Sequence, residues 1–136
     1  MRCRELKLIK EIATKFRFVL QEFNDDYILC DFPLGCCGDT SKLLGYYLKQ
    51  EKNIQTIYVS GGSGHHAWLE YEGYIIDLTA DQFDNVNEKV IISDDITWYK
   101  DKYDNFERRE IDELGNDRLE KLYRIIKNKI ELEKSN

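Results

Sequence analysis

The segment from residue 66 to residue 79 constrains the fold most, because it reads as a β-hairpin whose register can be worked out. Glu72-Gly73 is the only turn signal inside it and predicts a two-residue loop closed by Tyr71 and Tyr74. A four-residue loop would preserve the same pairing. The sequence therefore predicts two antiparallel strands in a defined register.

This register decides which side chains share a face, since side chains alternate along a strand. The predicted core face is apolar throughout and carries Ala67, Leu69, Tyr71, Tyr74, Ile76 and Leu78. The opposite face carries His66, Trp68, Glu70, Ile75, Asp77 and Thr79. Asp77 becomes a diagonal neighbour of His66, with Cα atoms roughly 7–8 Å apart, so the two side chains can meet. A slip of one residue would place them on opposite faces.

A second feature is Cys37, which follows the turn-forming Pro33 and Gly35 and opens an apolar helix pattern. A cysteine at a helix N-terminus readily forms a thiolate, because unpaired N–H groups and the helix dipole favour negative charge. The same N–H groups can form part of an oxyanion hole, and Gly38 leaves room for a substrate carbonyl. Cys37 shares a helix face with Ser41, Leu44 and Leu48. We expect this face to look toward the sheet face from which the His66 and Asp77 side chains project.

Both candidate residues have a neighbour of the same type. Cys36 aligns with Leu43 and Tyr47, so helical phase does not exclude it; the glycine after Cys37 favours Cys37 as the reactive thiol. His65 has the parity of the apolar face, which favours His66 as the functional histidine. Whether Cys36 shares or replaces the role of Cys37 stays open at this point.

A thiol, an imidazole and a carboxylate are the nucleophile, base and orienting group of thiol-based acyl transfer. Trp68 shares the face of His66 and Asp77 and is expected to form a hydrophobic wall beside them. Zinc ligands are usually spaced as in Cys-x2-Cys, whereas here the cysteines Cys36 and Cys37 are adjacent, and so are the histidines His65 and His66. We therefore expect no metal and no other cofactor.

The rest of the chain predicts one domain, residues 1–136, of the α+β class with an antiparallel sheet. Helical periodicity predicts an N-terminal helix over about residues 4–23 and a second helix from Cys36 or Cys37 to about residue 50. Strands are expected over about 54–60 and 86–93, and the aromatic stretch 94–106 as irregular. Apolar spacing from Ile111 to Ile130 predicts a C-terminal helix, broken at Gly115-Asn116.

Charge and cysteine content exclude several classes of function. The net charge is −6, and acidic residues are interleaved with the basic ones, so no nucleic-acid partner is expected. An acidic protein gains nothing from an anionic membrane surface, and no apolar stretch is long enough to span a bilayer. The N-terminus lacks the pattern of a signal peptide, so the four cysteines are expected to stay reduced in the cytoplasm.

Three short patterns together resemble the transglutaminase-like branch of the papain-like cysteine protease fold. They are Pro33-x-Gly35-x-Cys37-Gly38 at the head of a helix, His66-Ala67-Trp68-x-Glu70 on a strand, and Ile76-Asp77-x-Thr79 on the next. Residues 79–83 are also similar to small bacterial members of this group.

The resemblance implies a helix bearing the nucleophile packed on an antiparallel sheet that bears the base and the acid. It also implies a thioester intermediate, with Cys37 attacking, His66 moving the proton and Asp77 orienting His66. Gly38, Trp68 and Gln82 are the residues expected to bind substrate or support the oxyanion.

These features predict a hydrolase or acyltransferase for an amide bond of a peptide, a protein or a glutamine-like side chain. The chain is far shorter than the cross-linking transglutaminases, which favours water as the acyl acceptor, as in a peptidase, an amidase or a glutamine deamidase. The alternative is a non-catalytic module of the same fold that binds a peptide or protein in its cleft.

Overall fold

The computed structural model of the chain describes residues 2–22, 37–62, 66–79 and 90–135. In chain order the elements are α1 (Arg2–Gln21), α2 (Cys37–Lys52), β1 (Ile57–Gly61), β2 (His66–Tyr71), β3 (Tyr74–Asp77), β4 (Ile91–Ser93), α3 (Thr97–Lys102), β5 (Glu107–Glu110) and α4 (Asp117–Ser135). The strands form one antiparallel sheet in the order β4-β3-β2-β1-β5. The predicted α+β class is confirmed.

The hairpin register is the one that the sequence predicts. Tyr71 pairs with Tyr74 and Leu69 pairs with Ile76 across β2 and β3. The two loop residues both have positive φ, 46° at Glu72 and 85° at Gly73. A two-residue loop with positive φ at both positions suits the right-handed twist of the flanking strands.

Three helices cover one face of the sheet. Side chains of α1, α2 and α4 form one core with the apolar side of the hairpin, represented by Ala67, Leu69 and Ile76; α2 lies directly on β1 and β2, and α4 packs on α1 and α2. The α2 residues in this helix-side core are Leu43, Leu44, Tyr47 and Leu48. Burial of these aliphatic and aromatic side chains is the main favourable contribution to folding.

The opposite face is also buried, under an aromatic layer. Val59, Trp68 and Ile75 pack there with Tyr99 of α3 and with Tyr103, which follows α3. We call this cluster the aromatic-side core. Since β2 has a core on each side, its first four residues, 66–69, are all buried.

The structure departs from the sequence-based expectation mainly after residue 93. The stretch 94–106, expected to be irregular, contains α3, and residues 107–110 form the edge strand β5, which was not predicted. The expected helix before Gly115 is wrong, because α4 begins only at Asp117. Gly115 has φ +89°, and the Asn116 side-chain oxygen accepts the Leu119 N–H at 2.8 Å, which caps the helix start.

Of the predicted strand over 86–93, residues 86–89 lie outside the described residues, and the described part forms a strand from Ile91 to Ser93. Among the helices that the structure describes, none has the length and apolar character needed to cross a membrane.

Candidate active site

His66 and Asp77 form a buried pair at one end of the hairpin. His66 is the first residue of β2 and Asp77 is the last residue of β3. The imidazole Nε2 lies 2.7 Å from Asp77 Oδ2, and the side chains are 0% and 1% exposed. The diagonal contact derived from the register is therefore present.

The Asp77 carboxylate accepts hydrogen bonds at both oxygens. Oδ1 accepts the Thr79 backbone N–H at 2.9 Å and lies 3.5 Å from the Thr79 hydroxyl. Oδ2 accepts the Tyr99 hydroxyl at 2.7 Å, in addition to its contact with His66. A carboxylate that accepts several hydrogen bonds is stabilised in its ionised form. Asp77 thus has the donors that a buried charge needs.

These contacts also determine which ring nitrogen of His66 carries hydrogen. An ionised carboxylate only accepts, so His66 donates its Nε2–H to Asp77. In the neutral imidazole the lone pair then lies on Nδ1. Nδ1 is therefore the atom of this pair that can take up a proton.

Aromatic rings surround the imidazole. The Tyr103 ring lies 5.8 Å from the His66 ring and the Tyr99 ring 6.4 Å, both nearly parallel to it. The Trp68 indole lies 5.6 Å away, tilted by 42°, and is fully buried. A site walled by aromatic groups has a low local dielectric, which strengthens the interaction between His66 and Asp77.

Helix α2 runs along β2 in the same direction, on the other side of the sheet. The Ser41 hydroxyl lies 3.5 Å from the Ala67 carbonyl oxygen, and a Cβ built on Gly45 would lie 3.3 Å from Leu69. Cys37, the first residue of α2, lies one turn before Ser41, about 6 Å further along the helix axis. The helix therefore begins near the His66 end of β2.

One expectation about this helix is wrong. Its inward face was expected to look toward the sheet face that bears His66 and Asp77, but it packs on the opposite face, against Ala67 and Leu69. Strand alternation sends the His66 and Asp77 side chains into the aromatic-side core. Any meeting of Cys37 with His66 must therefore occur around the end of the strand.

The backbone beside Cys37 is closely packed. A Cβ added to Gly38 would lie 3.2 Å from the Tyr58 hydroxyl oxygen. A larger residue at position 38 would therefore be tight against Tyr58, while the expected room for a substrate carbonyl stays a prediction. The Cys37 side chain, Cys36, His65 and Gln82 lie outside the described part of the structure.

Sequence reasoning missed Tyr99. Its hydroxyl contacts Asp77 across 22 positions in the chain, and it belongs to a six-residue helix with no periodic pattern. The only available signal was the aromatic richness of the stretch around it.

The described residues include no group of three or more His, Cys, Asp or Glu side chains arranged to hold a metal ion. Comparisons with protein-family models, curated proteins and solved structures found no match for this chain. Functional inference therefore depends on the geometry of the site.

Proposed function

We propose that the chain is a thiol-dependent hydrolase or acyltransferase that acts on amide bonds through a thioester. Cys37 is the nucleophile, His66 the general base and Asp77 the orienting acid. The observation that carries this proposal is the buried hydrogen bond of 2.7 Å between His66 Nε2 and Asp77 Oδ2. It leaves Nδ1 as the proton acceptor, at the strand end near which the Cys37 helix begins.

The cost of burying the pair supports a catalytic role. Removing a carboxylate from water is expensive unless hydrogen bonds compensate, and here Asp77 is enclosed with an imidazole and a complete set of donors. A surface that only binds a peptide has no need for an ionised acid behind a histidine. The pair has the arrangement of a base held in one tautomer by its acid.

In the first half of the reaction, Cys37 and His66 convert the amide into a thioester. Nδ1 of His66 takes the proton of the Cys37 thiol, and the thiolate sulfur attacks the amide carbonyl carbon. The carbonyl oxygen becomes an oxyanion, which the free N–H groups at the start of α2 stabilise. The C–N bond breaks as the imidazolium returns its proton to the leaving nitrogen, and a thioester remains.

Water completes the cycle. Nδ1 takes a proton from a water molecule whose oxygen attacks the thioester carbonyl carbon. The C–S bond then breaks, the imidazolium protonates the departing thiolate, and a carboxylic acid leaves. Asp77 stays ionised throughout, because its function is to hold the imidazole and to stabilise the imidazolium.

The transglutaminase-like fold, a cytoplasmic location and a peptide, protein or glutamine-like amide as substrate form part of the same proposal. Supporting it are the antiparallel sheet with a helix starting at Cys37 and the four cysteines. Gly38, Trp68 and Gln82 are proposed to support the oxyanion or the substrate. Hydrolysis, with water as the acyl acceptor, is the reaction proposed.

The experiment is alkylation with limiting iodoacetamide at pH 7, followed by peptide mapping of all four cysteines. An ordinary thiol with a pKa near 8.5 is about 3% thiolate at this pH, so a thiolate stabilised by His66 gains about 10-fold in rate. Cys37 should label first, and His66→Gln should remove most of its advantage. His65→Gln is the matched control and should leave the rate unchanged.

Faster labelling of Cys3, Cys30 or Cys36 in the folded protein would show that Cys37 is not the nucleophile. Ordinary reactivity of Cys37, unaffected by His66→Gln, would favour the peptide-binding alternative. His66→Gln is preferred to alanine because glutamine can still donate a hydrogen bond to the buried Asp77.

A further inference from the structure

We propose that Tyr99 is a positioning residue of the His66–Asp77 pair, whose hydroxyl competes with the imidazole for Asp77 Oδ2 and so sets the orientation and basicity of His66. Its catalytic consequence rests on the function proposed above. The positioning itself rests on the geometry of the pair, and the two can be tested separately.

Tyr99 completes the hydrogen bonding of Asp77. The hydroxyl donates to Oδ2 at 2.7 Å, the same length as the contact between Oδ2 and His66 Nε2. Oδ1 is held by Thr79, two residues along the chain. The carboxylate is therefore fixed at one oxygen by its own backbone and at the other by groups from β2 and α3.

The Tyr99 ring is itself held firmly, so its hydroxyl has little freedom to leave Asp77. The residue is 3% exposed and packs against Trp68 and Trp98, with ring centroids 4.7 and 4.8 Å away. Its backbone carbonyl accepts the Tyr103 N–H at 2.9 Å, which ends α3. Packing on both sides reduces the entropy cost of keeping the hydrogen bond.

Asp77 Oδ2 accepts hydrogen bonds from two donors, the His66 Nε2–H and the Tyr99 hydroxyl. Each hydrogen bond to an ionised carboxylate stabilises the charge and weakens its attraction for the other donor. The Tyr99 hydroxyl thus moderates the stabilisation that the Asp77 carboxylate gives to a protonated His66. Without that hydroxyl, Oδ2 would interact with His66 alone, which should raise the pKa of the imidazole.

Few other charged or titratable groups face the pair from the described elements. Tyr103 packs on the imidazole, and within the described residues Asp77 is hydrogen-bonded to His66, Thr79 and Tyr99. On the same sheet face, Glu70 and Arg108 neutralise each other through contacts of 3.0 and 3.2 Å. The α3 residues Lys100, Asp101 and Lys102 are exposed to water, which screens them.

The test is a pH titration of His66, in which NMR follows the ring nitrogens. It compares Tyr99→Phe with the native Tyr99, both in the Cys37→Ala protein. Without the Tyr99 hydroxyl, the Asp77 carboxylate should interact more strongly with a protonated His66. The pKa of His66 should therefore rise by about one unit. Tyr103→Phe is the matched control: it also removes a hydroxyl from a ring packed on His66, and it should leave the pKa within about 0.3 units. Chemical denaturation of each variant establishes that it is folded.

Replacing Tyr99 with 3-fluorotyrosine supplies the opposite perturbation, because a more acidic hydroxyl is a stronger donor. The pKa of His66 should then fall. An unchanged or lower pKa in Tyr99→Phe, or equal shifts in Tyr99→Phe and Tyr103→Phe, would overturn the positioning role. Because Cys37 is absent from this experiment, its outcome does not depend on whether Cys37 is the nucleophile, which the alkylation test decides.

Discussion

Replacing Asp77 with asparagine should lower the pKa of His66 and reverse its tautomer. Asparagine keeps the size of the side chain and can still accept the Thr79 N–H through its oxygen. At the Oδ2 position it presents an NH2 group, which donates rather than accepts. His66 Nε2 must then accept a hydrogen bond, and hydrogen moves to Nδ1.

The size of the change in the pKa of His66 can be worked out from the distance between His66 and Asp77. Nε2 and Oδ2 are 2.7 Å apart, which places the centres of charge about 4 Å from each other. At an effective dielectric constant of about 20, this separation corresponds to about 4 kcal/mol of attraction between carboxylate and imidazolium. At 1.36 kcal/mol per pH unit, its loss lowers the pKa of His66 by up to about three units. The sign is opposite to that expected for Tyr99→Phe.

Two measurements check this. The ring nitrogen shifts of His66, recorded in the Cys37→Ala protein, report both the tautomer and the pKa. Alkylation of Cys37 in the Asp77→Asn protein should slow by about 10-fold at pH 7, because a weakly basic imidazole no longer supports the thiolate. If His66 keeps Nε2–H and its pKa moves by less than about half a unit, the buried contact does not control the imidazole.

Two further predictions concern the framework of the site. Gly61→Ala would place a Cβ 2.9 Å from Trp68 and 3.0 Å from the Tyr103 Cβ, so the free energy of unfolding should fall by about 1–3 kcal/mol in urea titrations. The same titration of Ser60→Ala serves as the control, and an equal loss there would contradict the packing argument. Glu72→Asn should stabilise the hairpin by about 0.5–1 kcal/mol, because asparagine tolerates the positive φ of 46° better than glutamate. A lower melting temperature in this variant would show that the turn conformation is not the dominant factor.

The hairpin could be predicted because its determinants are local. One turn signal sets the pairing of Tyr71 with Tyr74, and parity then assigns every side chain in the two strands to a face. The contact between His66 and Asp77 follows from these two facts alone. No information from distant parts of the chain is needed for it.

The elements around the sheet face that bears His66 and Asp77 could not be predicted in the same way. A strand with one buried face shows alternation, but β2 is buried on both, so the sequence did not reveal that a second core exists. Helix α3 is six residues long, too short for a periodic signal. Strand β5 has no apolar residue, because it is an exposed edge strand protected by charge. These elements are defined by tertiary contacts that the local pattern does not encode.

The burial of β2 between two cores places the base of the site on a strand that resists local opening. β2 pairs with β1 and β3 and is covered on both faces, so its amide hydrogens should exchange with solvent only when the whole domain unfolds. The cover on the Asp77 side is tied to the same sheet, because Tyr99 of the short α3 is buried and donates a hydrogen bond to Asp77. The base and its acid therefore keep their dry surroundings for as long as the fold itself persists.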